Sequence, residues 1–256
     1  MLRCVITNDD GVDAPGLQAL HAAMDGLAEV VVVAPATEWS GSGHAAPARE
    51  AIRVERRDHP ALGVVFVVHG SPADCARLAL ADLVRPRPDI LIAGINHGGN
   101  VGVDVYYSGT VAAAREASIM GCPAIAISQL VRRELPEDWA VTTARARCIL
   151  DRMLNSLVPT DSAMLWNVNI PHLPPGAAPR GVVQAPLATT PVDLRYERLD
   201  EDPQQIRYQY LGRYSNREKP EGTDVAFLFD DWITLTPLAL DVTRTCASPG
   251  RMEWSV

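Results

Sequence analysis

The sequence predicts an α/β fold: a mostly parallel sheet with helices on both faces, followed by a C-terminal β-rich extension. Three observations carry this expectation. Short runs of Val, Ile and Ala alternate with helix-period segments through the first 130 residues. Several of those runs are apolar throughout, as strands buried on both faces require. Beyond residue 171 prolines become frequent and short alternating segments take over.

The elements follow in order. Residues 2–7 form a first apolar run. Pro15 opens a helix expected to reach Leu27, with apolar residues at 17, 20, 24 and 27 and proline in its first turn. "EVVVVA" (29–34) and "VVFVV" (64–68) are β-branched strand runs. "ADCARLALADLV" (73–84) has an alanine-rich helical face, and "DILIA" (89–93) is a strand. "TVAAAREASIM" (110–120) is a helix and "AIAIS" (124–128) a strand. A longer helix is expected over residues 137–157 and a strand over 164–171. The late segments "GVVQA" (181–185), "QIRYQYLG" (205–212) and "DWITLTPL" (231–238) are β-like. Residues 1–171 are thus expected to form the core. Residues 172–256 complete the same domain as a flap, hairpin arm or oligomerisation element.

Composition narrows the function. A chain of 256 residues with net charge −8 has no basic surface for a nucleic-acid backbone. No apolar run is long enough for a membrane span, and the N-terminus runs straight into a strand, so a cytoplasmic protein is expected. The five cysteines, Cys4, Cys75, Cys122, Cys148 and Cys246, form no CxxC pair and read as buried free thiols.

In a sheet of this kind ligands bind beyond the carboxyl ends of the strands. The loops there are 8–16, 35–48, 69–73 and 94–109. The first holds Asn8, Asp9, Asp10 and Gly11. One acid at a helix start is an ordinary cap. Two adjacent carboxylates with no nearby Lys or Arg repel each other, and a divalent cation with oxygen ligands would resolve this. A dinucleotide site needs G-x-G-x-x-G at this point, and the loop lacks it.

The second loop alternates Ser40, Gly41, Ser42 and Gly43 before His44. A nucleophile elbow G-x-S-x-G fails because position 40 is Ser. Ser40 is better used as a hydroxyl ligand to a hard cation. The third loop sets Asn96 and Asn100 among Gly94, Gly98, Gly99 and Gly102, and ends in Ser108, Gly109 and Thr110 at a helix start. Ser108 alone reads as a cap. With the Asn/Gly loop it reads as a phosphate cradle. His44 and His97 are candidate acid/base groups. His21 and His69 read as structural, and His59 and His172 as surface residues beside prolines. No HxxxH, HExxH or Cys/His cluster suggests zinc, so Mg or Mn is the expected ion.

These stretches resemble the SurE (survival protein E) nucleotidase family. The matching segments are "ITNDDGVDAPG", "VVAPATEWSGSGHA", "GSPADCA", "PDILIAGINHGGNVGVDVYYSGTVAAAREA", "WNVNIP" and "ITLTPLALD". The resemblance implies a Rossmann-like three-layer core with a β-rich arm, in a homodimer or homotetramer. It implies a phosphatase of nucleoside 5′- and 3′-monophosphates that needs one divalent cation, with some members also trimming short polyphosphate. It places the metal ligands on Asp9, Asp10, Ser40 and Asn96 and the phosphate contacts on Asn100, Ser108, Gly109 and Thr110. Asp9 or Asp10 would orient water, and Asn100 and Ser108 would stabilise transition-state charge. The chain departs from the usual family pattern at Ala36-Thr37 and carries His97 at a variable position. A sensor that binds nucleotide without turnover is the alternative, and Trp39 or Tyr106 is the candidate for stacking on the base.

Overall fold

The computed structural model describes residues 2–45, 51–156, 164–199 and 205–242. Nine strands form one sheet, in the order β3-β4-β2-β1-β5-β6-β7-β11-β8. They are β1 (Arg3–Thr7), β2 (Glu29–Pro35), β3 (Val54–His59), β4 (Gly63–Val68), β5 (Ile90–His97), β6 (Ala124–Gln129), β7 (Leu165–Ile170), β8 (Val182–Gln184) and β11 (Ile233–Pro237). Pairing is parallel except between β3 and β4 and between β7 and β11. A separate antiparallel hairpin joins β9 (Tyr196–Arg198) to β10 (Tyr208–Tyr210).

Helices α1 (Pro15–Ala23) and α4 (Trp139–Ser156) cover one face, where Leu17, Leu20, Ile92, Ile125, Ile149 and Leu150 pack together. Helices α2 (Pro72–Leu78) and α3 (Gly109–Ile119) cover the other, around Val5, Val33, Leu91, Ala113 and Ala117. A short helix α5 (Asp224–Phe229) closes a small third cluster with Val101 and Leu130. The three-layer α/β arrangement is the expected one. The C-terminal extension is less separate than a flap, because β11 and β8 continue the core sheet beyond β7.

Three expectations are corrected. Helix α1 stops at Ala23, because Gly26 takes a left-handed φ of +72° and Leu27 bonds back to Met24. Strand β5 runs to His97 instead of ending at Ala93, so Asn96 sits on a strand and not in a loop. Its register against β6 shifts between Ala93 and Asn96, where Gly94 (φ +140°) lies so close to the Ile127 carbonyl that a Cβ would collide with it. Cys148 is exposed on α4, while Cys4, Cys75 and Cys122 are buried as expected. Cys246 lies outside the described residues.

Three elements had no sequence signal. β3 reads "VERRDH", a charged edge strand with no apolar alternation. β9 is three residues long, and α5 only six. α5 is started by Thr223, whose side chain accepts from the Ala226 N–H.

Candidate active site

β1 lies between β2 and β5, so the chain leaves these three neighbouring strands toward one end of the sheet. This is where an open α/β sheet forms its crevice. The turn after β1 is built locally. Asn8 Nδ2 donates to Gly11 O (2.8 Å), Gly11 takes φ +99°, and Val12 N donates to Pro35 O at the end of β2 (2.9 Å). This turn fixes Asp9 and Asp10 above β1.

Asp9 is buried, at 3% exposure. The N-terminus of α3 abuts it: a Cβ on Gly109 would stand 2.8 Å from both the Asp9 Cβ and Oδ2. The Thr110 hydroxyl donates to Asp9 Oδ1. Burial still raises the Asp9 carboxyl above the usual range, against the opposing pull of Thr110 and the Gly109 and Thr110 N–H groups. Asp10 Oδ2 accepts from the His97 N–H at 3.2 Å. Burial and the adjacent Asp9 charge push Asp10 up to about 6.

The loop after β2 and the end of β5 reach this pair. Trp39 N donates to Asp9 O (2.7 Å), which sets Ser40 one residue from the acid's backbone. Ser40 itself is exposed. Asn96 spends its Nδ2 on Gly98 O (2.8 Å), which leaves its Oδ1 as the free acceptor. Hydrogen bonds thus tie the segments carrying all four expected metal ligands together.

Of the expected phosphate residues, Ser108, Gly109 and Thr110 share the start of α3 beside Asp9. Ser108 caps α3 by accepting from Val111 N (3.0 Å), and its own O–H proton stays available. Thr110 directs its hydroxyl proton to Asp9, so it couples the acid pair to the α3 N-terminus. Asn100 is buried in an amide network. Its N–H donates to Asn169 Oδ1 (2.8 Å), its Nδ2 to Ser128 Oγ (2.8 Å), and its carbonyl accepts from Asn167 and Asn169.

Sequence reasoning gave no role to Ser128, Asn167 or Asn169. The signal was present: two Asn at period two inside an apolar strand, "WNVN", place two amides on one face of β7. It also missed the ion pair that holds the loop before Ser108. Arg217 grips Asp104 with two bonds of 2.7 and 2.8 Å, and the Tyr214 hydroxyl lies 2.8 Å from Gly99 O.

The histidines are now placed. His44 Nε2 is 2.6 Å from Glu116, and His97 Nε2 is 2.6 Å from Glu137. His69 pairs with Glu55. His59 and His172 are not surface residues: His59 is tucked beside Asp13, and His172 accepts from Arg132 N through Nδ1. A cavity of about 500 Å³ opens beside Asp10, lined by Thr37, Glu38, His97, Glu137 and Trp139 among others. Tyr106 is largely exposed, and Trp39 is half-buried.

A hard divalent cation fits this donor set. Among the described residues neither Asp9 nor Asp10 makes an ion pair, yet the two like charges are adjacent and largely buried. No group of three His, Cys, Asp or Glu converges among the described residues. A site here would therefore combine two carboxylates with the neutral oxygens of Ser40 and Asn96, a set suited to Mg or Mn.

The chain is similar to known proteins over most of its length. The family profile described as Survival protein SurE matches residues 4–192. A 5′-nucleotidase SurE from Geotalea uraniireducens is 37% identical over 259 residues, covering 100% of both chains. A 5′/3′-nucleotidase SurE from Edwardsiella ictaluri is 39% identical over 254 residues, 99% of this chain and 96% of that one. The crystal structure of the SurE protein from Aquifex aeolicus superposes with a TM-score of 0.80 at 31% identity, covering 94% of each chain.

Proposed function

The chain belongs to the SurE family, and from that premise we propose how its site works. It is a nucleotidase, a phosphatase that converts nucleoside monophosphates to nucleoside and phosphate. Our reading assigns Asp9, Asp10, Ser40 and Asn96 to one divalent cation, Mg or Mn. Asn100, Ser108, Gly109 and Thr110 hold the phosphoryl group. The observation that carries this reading is the adjacent pair of buried Asp9, against the α3 N-terminus, and half-buried Asp10, neither paired with Arg or Lys among the described residues.

When bound, the cation supplies Lewis acidity at a phosphoryl oxygen and a more acidic bound water. The rest falls to the chain. The dipole of α3, whose first N–H groups face Asp9, favours the phosphate's charge. The Ser108 hydroxyl proton and the Asn100 amide are donors for developing negative charge. Asp10 is the more accessible of the two acids and is suited to orient the attacking water. The Asn100 network and the Arg217–Asp104 pair keep these donors from shifting during the reaction.

We read residues 1–171 as the catalytic core and residues 172–256 as an extension that completes the same domain through β8 and β11 and carries an oligomerisation arm. Leu194, Tyr196, Leu199, Ile206, Tyr208 and Tyr210 are exposed on and around the β9–β10 hairpin. Such a two-stranded hairpin gains by docking on another subunit. We read the protein as a homodimer or homotetramer. The buried free thiols Cys4, Cys75 and Cys122 support a cytoplasmic setting. No described helix is long and apolar enough to cross a membrane.

The test is phosphate release from a panel of nucleoside monophosphates, p-nitrophenyl phosphate and tripolyphosphate, with EDTA, Mg²⁺ or Mn²⁺. Metal-dependent release that collapses in Asp9→Asn supports the ligand set. Nucleotide binding without release under any metal would make the chain a sensor.

A further inference from the structure

The loop after β2 carries Ser40 between weak anchors. Gly41 and Gly43 take φ of +72° and +61°, and a Cβ on Gly41 would meet nothing within 4 Å. Backbone bonds tie the loop at Trp39 to Asp9 and at Gly43 to Tyr107 (3.0 Å). Among the described residues of this loop, His44 is the one whose side chain bonds outside it. Its partner is Glu116 on α3, 2.6 Å away.

Glu116 is a buried carboxylate with two partners on its two oxygens. Arg77 Nε from α2 donates to Oε1 (2.6 Å), and His44 Nε2 approaches Oε2. A carboxylate only accepts, so His44 Nε2 carries the proton. Glu116 lies seven residues beyond Gly109, about two turns along the same helical face. Helix α3 therefore touches Asp9 at its N-terminus and grips the Ser40 loop two turns later.

We infer that His44 and Glu116 are positioning residues that fix Ser40 relative to Asp9, so that the Ser40 ligand is in place before the cation arrives. This rests on the metal-site reading above. Without His44, Ser40 hangs on a glycine-flanked loop held by backbone bonds, and ordering it weakens cation binding.

The test is titration of the full chain with Mn²⁺ alone, read by electron paramagnetic resonance of free Mn²⁺, beside thermal melts. His44→Ala is expected to raise the Mn²⁺ Kd about tenfold, a usual cost of losing an outer partner of a metal site. His44→Gln, which keeps a donor, is expected to recover most of that loss. Arg77→Gln removes the other Glu116 partner without touching the loop, so Tm should fall while the Kd holds. Saturating Mn²⁺ should restore phosphate release in His44→Ala. An unchanged Kd in His44→Ala, or an equal loss in Arg77→Gln, would overturn the inference and leave the triad as packing. Wild type that binds no Mn²⁺, or Asp9→Asn that binds it as well as wild type, would instead overturn the cation site, and this inference with it.

Discussion

Two sets of buried and half-buried acids in this molecule are treated in opposite ways. Asp104 meets Arg217 through two bonds of 2.7 and 2.8 Å, and Glu116 meets Arg77 and His44. Burial raises the Asp224 carboxyl, as it does Asp9 and Asp10, but Arg217 acts on it and its two oxygens accept from the N–H groups of Gly102, Ala188 and Val225. Asp9 and Asp10 also receive hydrogen bonds, yet two like charges stay adjacent and neither is paired with Arg or Lys among the described residues. On the function proposed here, the difference separates acids that serve the fold from acids that serve a ligand. Where the chain supplies the counter-charge, the acid is finished on folding. Where it does not, the acid waits for something from outside.

The largest expected effect is on chemistry. Asp9→Asn should lower metal-dependent phosphate release on the order of 10³-fold while leaving the far-ultraviolet circular dichroism unchanged. A loss of structure that accounts for the lost activity would move Asp9 into the structural set. Next is the opposite case. Arg217→Met leaves Asp104 as an uncompensated, mostly buried charge and should cost about 3 kcal/mol in urea unfolding. A cost below about 1 kcal/mol, typical of exposed pairs, would mean that solvent already shares that site.

The third effect has a pH sign. In the metal-free fold Asp10 is raised from 3.8 to about 6, so the folded state binds its proton more tightly than the unfolded chain. Its favourable contribution is present below about pH 4 and is lost as pH rises through about 6. Metal-free Asp10→Asn should therefore be more stable than wild type at pH 7.5, by about 1–2 kcal/mol after allowing for partial solvent access, and the gain should vanish near pH 4. Urea midpoints at the two pH values measure it. Equal stability at both would show that the two carboxylates do not repel as their burial implies.

Much of this was legible in the chain. "EVVVVA" and "DILIA" are buried on both faces, and their composition says so. "NDDG" was legible because two acids without a local cation are costly wherever they fold. What was not legible rests on distance or brevity. Arg217 and Asp104 are 113 residues apart, and His44 and Glu116 are 72 apart, with no period to link them. Charged edge strand β3 carries no apolar pattern, and α5 is too short to show one. The extent of β5 depends on a bulge at Gly94 that follows from contact with Ile127 on the next strand, not from local propensity.

The smallest expected effect concerns the third acid of the same motif, and it separates neighbourhood in sequence from environment in space. Asp13 is three residues from Asp10 but is exposed and already paired, with Arg57 at 2.6 Å and His59 at 3.3 Å. Both partners come from the edge strand β3, on the far side of β4 and β2 from β1. By environment it belongs with the finished acids, in their solvent-screened form, where a pair is worth roughly 0–1 kcal/mol. Asp13→Asn should change stability by no more than that and phosphate release by less than about threefold, a barrier difference under 1 kcal/mol. A drop approaching that of Asp9→Asn would place Asp13 among the acids that wait for a ligand, and would make its bond to Arg57 a resting contact that opens when the cation binds.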